Sequence, residues 1–327
     1  MNLTSPSQVK AWCIENEFHP NKVLGQNFLI DQNALRAIVD AGLEEERNNR
    51  IIECSNDRMN GTSTDNSTIR LFDDSIISPH VLEIGPGLGV LTEEMLKRGC
   101  HVTAVEKDPV LAERLAASLG NPPNLTVIAA DALDVIHAIG PSSTPGTSST
   151  PGTSGTHSTS GTFPPFHLST SPHSFTHMIS NLPYQAGTRI LLELVKQRAI
   201  PTMTVLVQTE VADRLAAGPG TKTRGLAGVW AQLDYDVKIV RKVSASCFWP
   251  RPEIGSSVVR LDRHDRNAAL PEEVRKVFFR LTKRAFEHRR KQLGSIFRDV
   301  IDSTARAEEL SNEDWVALAS SLSPDLV

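Results

Sequence analysis

Between residues 81 and 131 the chain alternates, at short and regular spacing, between apolar runs and amphipathic runs. Residues 81–84 read as a strand, Gly85-Pro86-Gly87-Leu88-Gly89 as a tight glycine turn and residues 91–98 as a helix. A second strand, residues 101–105, ends at Glu106; a helix follows to residue 119; a third strand, residues 125–130, ends at Asp131. Strands joined through helices run parallel, so the spacing predicts a doubly wound α/β sheet. Ligands of such sheets bind beyond the carboxyl ends of the strands. The glycine turn, Glu106 and Asp131 all stand at such ends. Glycines let the backbone pass close to a ligand. Glu106, about 20 residues beyond the turn, is placed to accept ribose hydroxyl protons, and Asp131 to meet an adenine amine. These three features point to a nucleoside-type cofactor against the plainer reading of a turn with capping acids. They leave NAD and S-adenosylmethionine equally open.

The alternation resumes after residue 177, where the run HMISNLPY ends a strand in a rigid corner. Asn181 offers an amide and Leu182 a carbonyl, Pro183 fixes φ and lacks an N–H, and Tyr184 offers a stacking face. The corner suits a flat, amine-bearing base, although Asn-x-Pro also simply ends strands. A helix over 187–196, a strand over 203–208 and a helical segment over 210–217 follow, then residues 236–243 and 257–261 as paired antiparallel strands. Between those two, Phe248-Trp249-Pro250-Arg251-Pro252 holds aromatics among prolines, either as a core turn or as a ring facing the site. Upstream, residues 1–20 read as a lead-in helix with Trp12, Ile14 and Phe18 as apolar contacts, and residues 33–41 as a helix. Between them NKVLGQNFLID is either a buried arm or a ligand contact through Gln26 and Asn27.

If corner and cofactor share one sheet edge, methyl transfer to an exocyclic amine follows. Hydrogen bonds from the amine to the Asn181 side-chain oxygen and the Leu182 carbonyl favour a more tetrahedral nitrogen, and catalysis is then mostly positioning and electrostatics. No metal is needed. A base in structured nucleic acid must leave its stack at a cost of a few kcal/mol. Stacking on Tyr184 and Phe248 returns about 1 to 3 kcal/mol per base.

The formal net charge of -4 excludes a chain that is basic throughout, so a nucleic-acid partner must meet a local patch. Residues 274–298 supply one: nine cations, among them Arg275, Arg284, Arg289, Arg290 and Lys291, face the single internal acid Glu287. The loop GPGTKTRG adds Lys222 and Arg224. Residues 48–78 are a polar insertion, and residues 139–175 a low-complexity insertion expected to be disordered. Four cysteines without CxxC pairing suggest neither disulfides nor zinc. No apolar run approaches the roughly 18 residues of a membrane span, so a cytoplasmic protein is expected.

The ordered set NKVLGQNFLID, VLEIGPGLGVLT, VEKD, ADAL, SNLPY, FWPRPEIGSSVVRL and AFEHRRKQL resembles the KsgA-type ribosomal RNA adenine N6-dimethyltransferases over nearly everything except the two insertions. The resemblance implies a Rossmann-like S-adenosylmethionine-dependent methyltransferase sheet over residues 79–265, behind an arm and helix over 1–47. A small helical RNA-binding domain would occupy 266–327. It implies N6-dimethylation of two adjacent adenosines near the 3′ end of 16S ribosomal RNA in a pre-ribosomal particle, by a monomer. Asn27, Leu29, Gly85 and Gly87 would bind the cofactor with Glu106, Asp131, Ala132 and Asn181. Residues 181–184 and Phe248 would hold the base, and Lys222, Arg224, Arg284, Arg289, Arg290 and Lys291 the RNA. The chain departs from the family where Arg224 replaces an aromatic and Ser295 replaces an Asn. The rivals are a large-subunit adenine methyltransferase, a non-catalytic assembly or transcription factor on the same fold, and an NAD-dependent dehydrogenase.

Overall fold

The computed structural model describes residues 2–21, 24–44, 78–136, 175–298 and 300–322. The two expected insertions lie outside the described residues except for Ser78 and Phe175 at their ends. Seven strands form one sheet: β2 (His80–Ile84), β3 (His101–Glu106), β4 (Leu125–Ala129), β5 (His177–Asn181), β6 (Thr202–Gln208), β7 (Tyr235–Val243) and β9 (Ser256–Arg263). Their order is β4-β3-β2-β5-β6-β9-β7. The first five are parallel; β9 pairs antiparallel with β7, the expected pairing, and on its other edge antiparallel with β6.

Strand side chains alternate between faces, and the core divides accordingly. Val81, Val102, Ala104 and Ile179 pack in one apolar cluster with Leu35 and Ile38 from α2 (residues 32–44), and with Leu91 and Leu115 from α3 (Val90–Lys97) and α4 (Pro109–Ser118). Leu82, Ile84, Val105 and Met178 pack in a second cluster with Ile190 and Leu194 of α6 (Gly187–Gln197) and Leu215 of α7 (Thr209–Ala216). In front of the sheet lie α1 (Pro6–Glu15) and a two-stranded ribbon of β1 (Phe28–Leu29) with β8 (Phe248–Trp249). Ile14 is not an apolar contact of α1 but 78% exposed, because the buried stripe runs through Val9 and Cys13 and leaves the next residue turned to solvent. No helix among the described residues is long and apolar enough to cross a membrane.

The longest helix missed by the sequence reading is α8 (Leu226–Asp234). In it Gly228, Val229, Trp230, Ala231, Leu233 and Asp234 are all buried, so no amphipathic period marks it. Gly228 is required: a Cβ there would meet the Arg214 carbonyl oxygen at 2.4 Å. Val229, Trp230 and Leu233 form a third core with Phe278 and Leu281 of α9 (Glu272–Glu287), Leu293 of α10 (Leu293–Ile296) and Trp315 of α11 (Asn312–Ser321). The Trp230 indole N–H donates to Thr282 Oγ1 at 2.9 Å.

Arg275 corrects the reading of residues 274–298 as one phosphate-facing run. It is 6% exposed and spans from α9 to the end of α8, with its two Nη atoms 2.6 and 3.0 Å from the Asp234 carboxylate. Removing one partner of a buried pair leaves an uncompensated charge. Asp234→Ala should therefore lower the unfolding free energy in urea by about 3–5 kcal/mol; a loss below about 1 kcal/mol, the scale of an exposed pair, would show the pair to be incidental.

Candidate active site

The chain runs outward from β2 through β3 to β4, then returns to β5 on the other side of β2. This reversal opens a crevice at the carboxyl ends of β2 and β5. A cavity of about 450 Å³ occupies it, lined by the glycine turn, by Glu106 and Asp131, by the corner and by residues 24–29. Its size suits a small-molecule ligand. The Ile84 N–H donates to Ser180 Oγ at 2.9 Å, tying the two strand ends together. Gly85 (φ +69) donates to the Val105 carbonyl at 2.9 Å, and a Cβ on it would lie 3.7 Å from Pro183 Cδ. Turn and corner are thus neighbours.

Three acids line the cavity, each held differently. Glu106 is 7% exposed and accepts N–H bonds from Gly87 at 3.0 Å and Asp108 at 2.9 Å. Burial raises its pKa and the two N–H groups oppose the rise. Asp131 caps α5 (Ala132–Val135) by accepting the Leu133 N–H and meets Lys107 Nζ at 2.7 Å, an ion pair that keeps its carboxyl below the usual range. Ala132 is buried in the same wall. Glu83, which sequence reasoning passed over as part of an apolar strand, is 1% exposed and accepts the Thr92 hydroxyl at 2.6 Å. Burial, outweighing that bond and aided by the Glu106 charge, pushes its pKa up to about 8. The available signal was a carboxylate inside an apolar strand just before a glycine turn.

The corner is fixed from several sides. The Leu182 N–H donates to the Leu206 carbonyl at 3.1 Å and the Gly187 N–H to the Pro183 carbonyl at 2.7 Å. Tyr184 Oη lies 2.7 Å from Ser256 Oγ, which anchors the ring to β9. The Asn181 Nδ2 donates to the Asn27 carbonyl at 3.2 Å; this assignment of the amide leaves Oδ1 as the acceptor. The N-terminal arm is buried at Phe28 and Leu29 and lines the cavity through Gln26 and Asn27. Leu29 is 1% exposed yet lines the cavity with Asn27, and Gln26 Nε2 reaches Asp108 Oδ2 at 2.9 Å. Gly25 (φ +67) allows the approach, since a Cβ there would come 3.2 Å from the Tyr184 nitrogen.

Two expected residues lie elsewhere. Phe248 is 2% exposed, paired in register with Leu29 and outside the cavity lining; its neighbour Trp249 stacks with Phe28 at 6.4 Å. Arg224 is corrected as a surface cation. It is 1% exposed, with Nη1 3.0 Å from the Ala217 carbonyl and Nη2 2.8 Å from Asn312 Oδ1, so its loop is pinned against α11. Lys222, Arg284, Arg290 and Lys291 are exposed. Arg289 is half-buried and donates to the Lys222 carbonyl, which brings the 218–225 loop to the basic end of α9.

A mixed sheet whose reversal point brings a glycine turn, a buried strand-end acid and an Asn-Leu-Pro-Tyr corner around one cavity has the architecture of a Rossmann-like methyltransferase. The chain belongs to the ribosomal RNA adenine dimethylase family, whose profile matches residues 17–317. It is 32% identical to ribosomal RNA small subunit methyltransferase A of Alkaliphilus oremlandii, covering 99% of each chain. Against the protein of that name from Deinococcus radiodurans it is 36% identical over 89% of this chain and 76% of the other. The fold is similar to that of a Plasmodium falciparum dimethyladenosine transferase (TM-score 0.54, 20% identity, 74% of this chain and 88% of the other). It is also similar to the 23S rRNA methyltransferase ErmE (TM-score 0.50, 23% identity, 74% and 90%).

The state of Glu83 has a measurable sign. Between its ordinary value of 4.5 and about 8, the folded chain holds a proton that the unfolded chain has lost. Stability contributed by this site therefore falls as pH rises through that window, by at most about 1.4 kcal/mol per unit. Urea unfolding at pH 5 and pH 8 should show Glu83→Gln gaining on the parent at the higher pH. Parallel pH curves would contradict the buried, protonated state.

Proposed function

We propose that the protein uses S-adenosylmethionine to dimethylate N6 of two adjacent adenosines near the 3′ end of small-subunit ribosomal RNA. It would act as a cytoplasmic monomer on a pre-ribosomal particle during subunit biogenesis. The observation that carries this reading is the junction of the Asn181 corner with the glycine turn in a single cavity.

The residues present fit the cofactor. Glu106 offers a carboxylate to vicinal ribose hydroxyls and Asp131 an acceptor to an adenine amine. Gly85 and Gly87 keep the turn free of side chains, and the acidic lining favours a cation. When bound, S-adenosylmethionine supplies an electrophilic methyl group with its own leaving group. The protein's part is to present the nucleophile. Asn181 Oδ1, oriented by the Asn27 carbonyl behind its Nδ2, accepts a hydrogen bond from one N6–H and the Leu182 carbonyl a hydrogen bond from the other. The amine lone pair is thereby withdrawn from the purine ring and aimed at the methyl group. Tyr184, held by Ser256, provides a stacking face for the extruded base. Lys222, Arg284, Arg289, Arg290 and Lys291 form the phosphate-contacting set, and residues 266–327, which include Ser295 at the family's Asn position, the RNA-binding portion. The buried Phe248 ring would join the base only if the β1–β8 ribbon shifts.

Immature small subunits incubated with the protein and methyl-labelled S-adenosylmethionine should accumulate N6-dimethyladenosine, and label confined to large-subunit RNA would sink the assignment. Asn181→Ala should lose turnover by about 100- to 1,000-fold while keeping RNA affinity; equal loss of both would make the corner structural. Glu106→Ala should weaken cofactor binding by about 10-fold or more, the scale of hydrogen bonds to a charged group. Unchanged affinity in calorimetry would refute its ribose role.

A further inference from the structure

Arg189 stands on α6 two residues after its start and lines the same cavity as Asp131, Pro183 and Tyr184. Its place is not adjustable. Gly187 is packed so closely on the corner that a Cβ would lie 2.8 Å from Leu182 Cβ, so the start of α6 moves only with the residues that hold the base. The other lining cation, Lys107, is committed to Asp131 at 2.7 Å. Arg189 is exposed and makes no ion pair or hydrogen bond with another described residue, although its charge is felt at Asp131. The remaining charged side chains of the lining, Glu83, Glu106 and Asp131, are acids. A polyanion whose base is to enter this cavity meets repulsion from its walls and one uncommitted guanidinium at its rim.

We propose that Arg189 is a substrate-positioning residue that binds a backbone phosphate of the RNA beside the target nucleotide as its base enters the corner. A planar guanidinium suits this role because it takes two phosphate oxygens at once, which fixes orientation as well as distance. The phosphate contact is made equally before and during methyl transfer, so its loss raises KM and leaves kcat nearly unchanged. The inference rests on the functional reading above. The competing role for Arg189 is inside the cofactor site, as a second cation steadying Asp131.

The test uses the full chain, small-subunit particles and S-adenosylmethionine. In Arg189→Gln, KM for the particle should rise about 10- to 100-fold, as for one charge-assisted hydrogen bond, with kcat within about twofold. The slope of log affinity for RNA against log salt should drop by about one. Arg189→Lys, which keeps the charge, should recover most of the affinity. Calorimetric affinity for S-adenosylmethionine should stay within about twofold of the parent in both variants. Unchanged KM and salt slope in Arg189→Gln would overturn the proposal, as would a fall in cofactor affinity large enough to account for the loss. A parent that transfers no methyl groups to small-subunit RNA defeats the functional reading; the salt slope for RNA binding still decides whether Arg189 contacts phosphate.

Discussion

The parallel pairing of β2 with β5 is the constraint on which the site depends. These strands are far apart in sequence, with Ile84 and Ser180 separated by 96 positions, yet their carboxyl ends are bonded to each other. Because β3 and β4 lie to one side of β2 and β6 to the other, the loops leaving β2 and β5 face the same crevice. The glycine turn and the Asn-Leu-Pro-Tyr corner have no separate route to each other. Loop-closure entropy grows only logarithmically, about 0.6 kcal/mol per doubling of length, so extra chain between β4 and β5 costs the pairing little.

Charge is divided between two regions in a way that suits two different ligands. Buried Glu83 and Glu106 line the cavity together with the partly exposed Asp131, and burial leaves the Glu106 charge little screened by water. The exposed cations Arg284, Arg290 and Lys291 lie on and just beyond α9, outside the cavity lining. A chain of net charge -4 therefore keeps its local cationic patch apart from the acids of the cavity. The N-terminal arm joins the corner to the cavity, since the Asn27 carbonyl orients the Asn181 amide while Leu29 and Asn27 form part of the cavity wall.

Much of this was legible in the sequence because it is local. Strand periods, glycine turn, terminal acids and the corner are each set within a few residues, and the sheet assembles them as expected. What could not be read depends on partners. Arg275 and Arg224 look like surface cations until Asp234 and Asn312 are placed beside them. Ile14 counts as apolar, but one step around the helix decides its exposure. The helix α8 is apolar on nearly every side and shows no period. Glu83 and Arg189 acquire meaning only when β3 and α6 close the cavity around them, and Phe248 lies in the core under the arm because β8 pairs with β1.

Which nucleotides carry the methyl groups separates this function from its rivals. Mass spectrometry of small-subunit ribosomal RNA from cells lacking this protein should show two adjacent adenosines near the 3′ end without N6-dimethylation, with both marks restored by the parent chain and neither by Asn181→Ala. Full dimethylation at both positions without the protein, or a mark missing from large-subunit RNA instead, would contradict it.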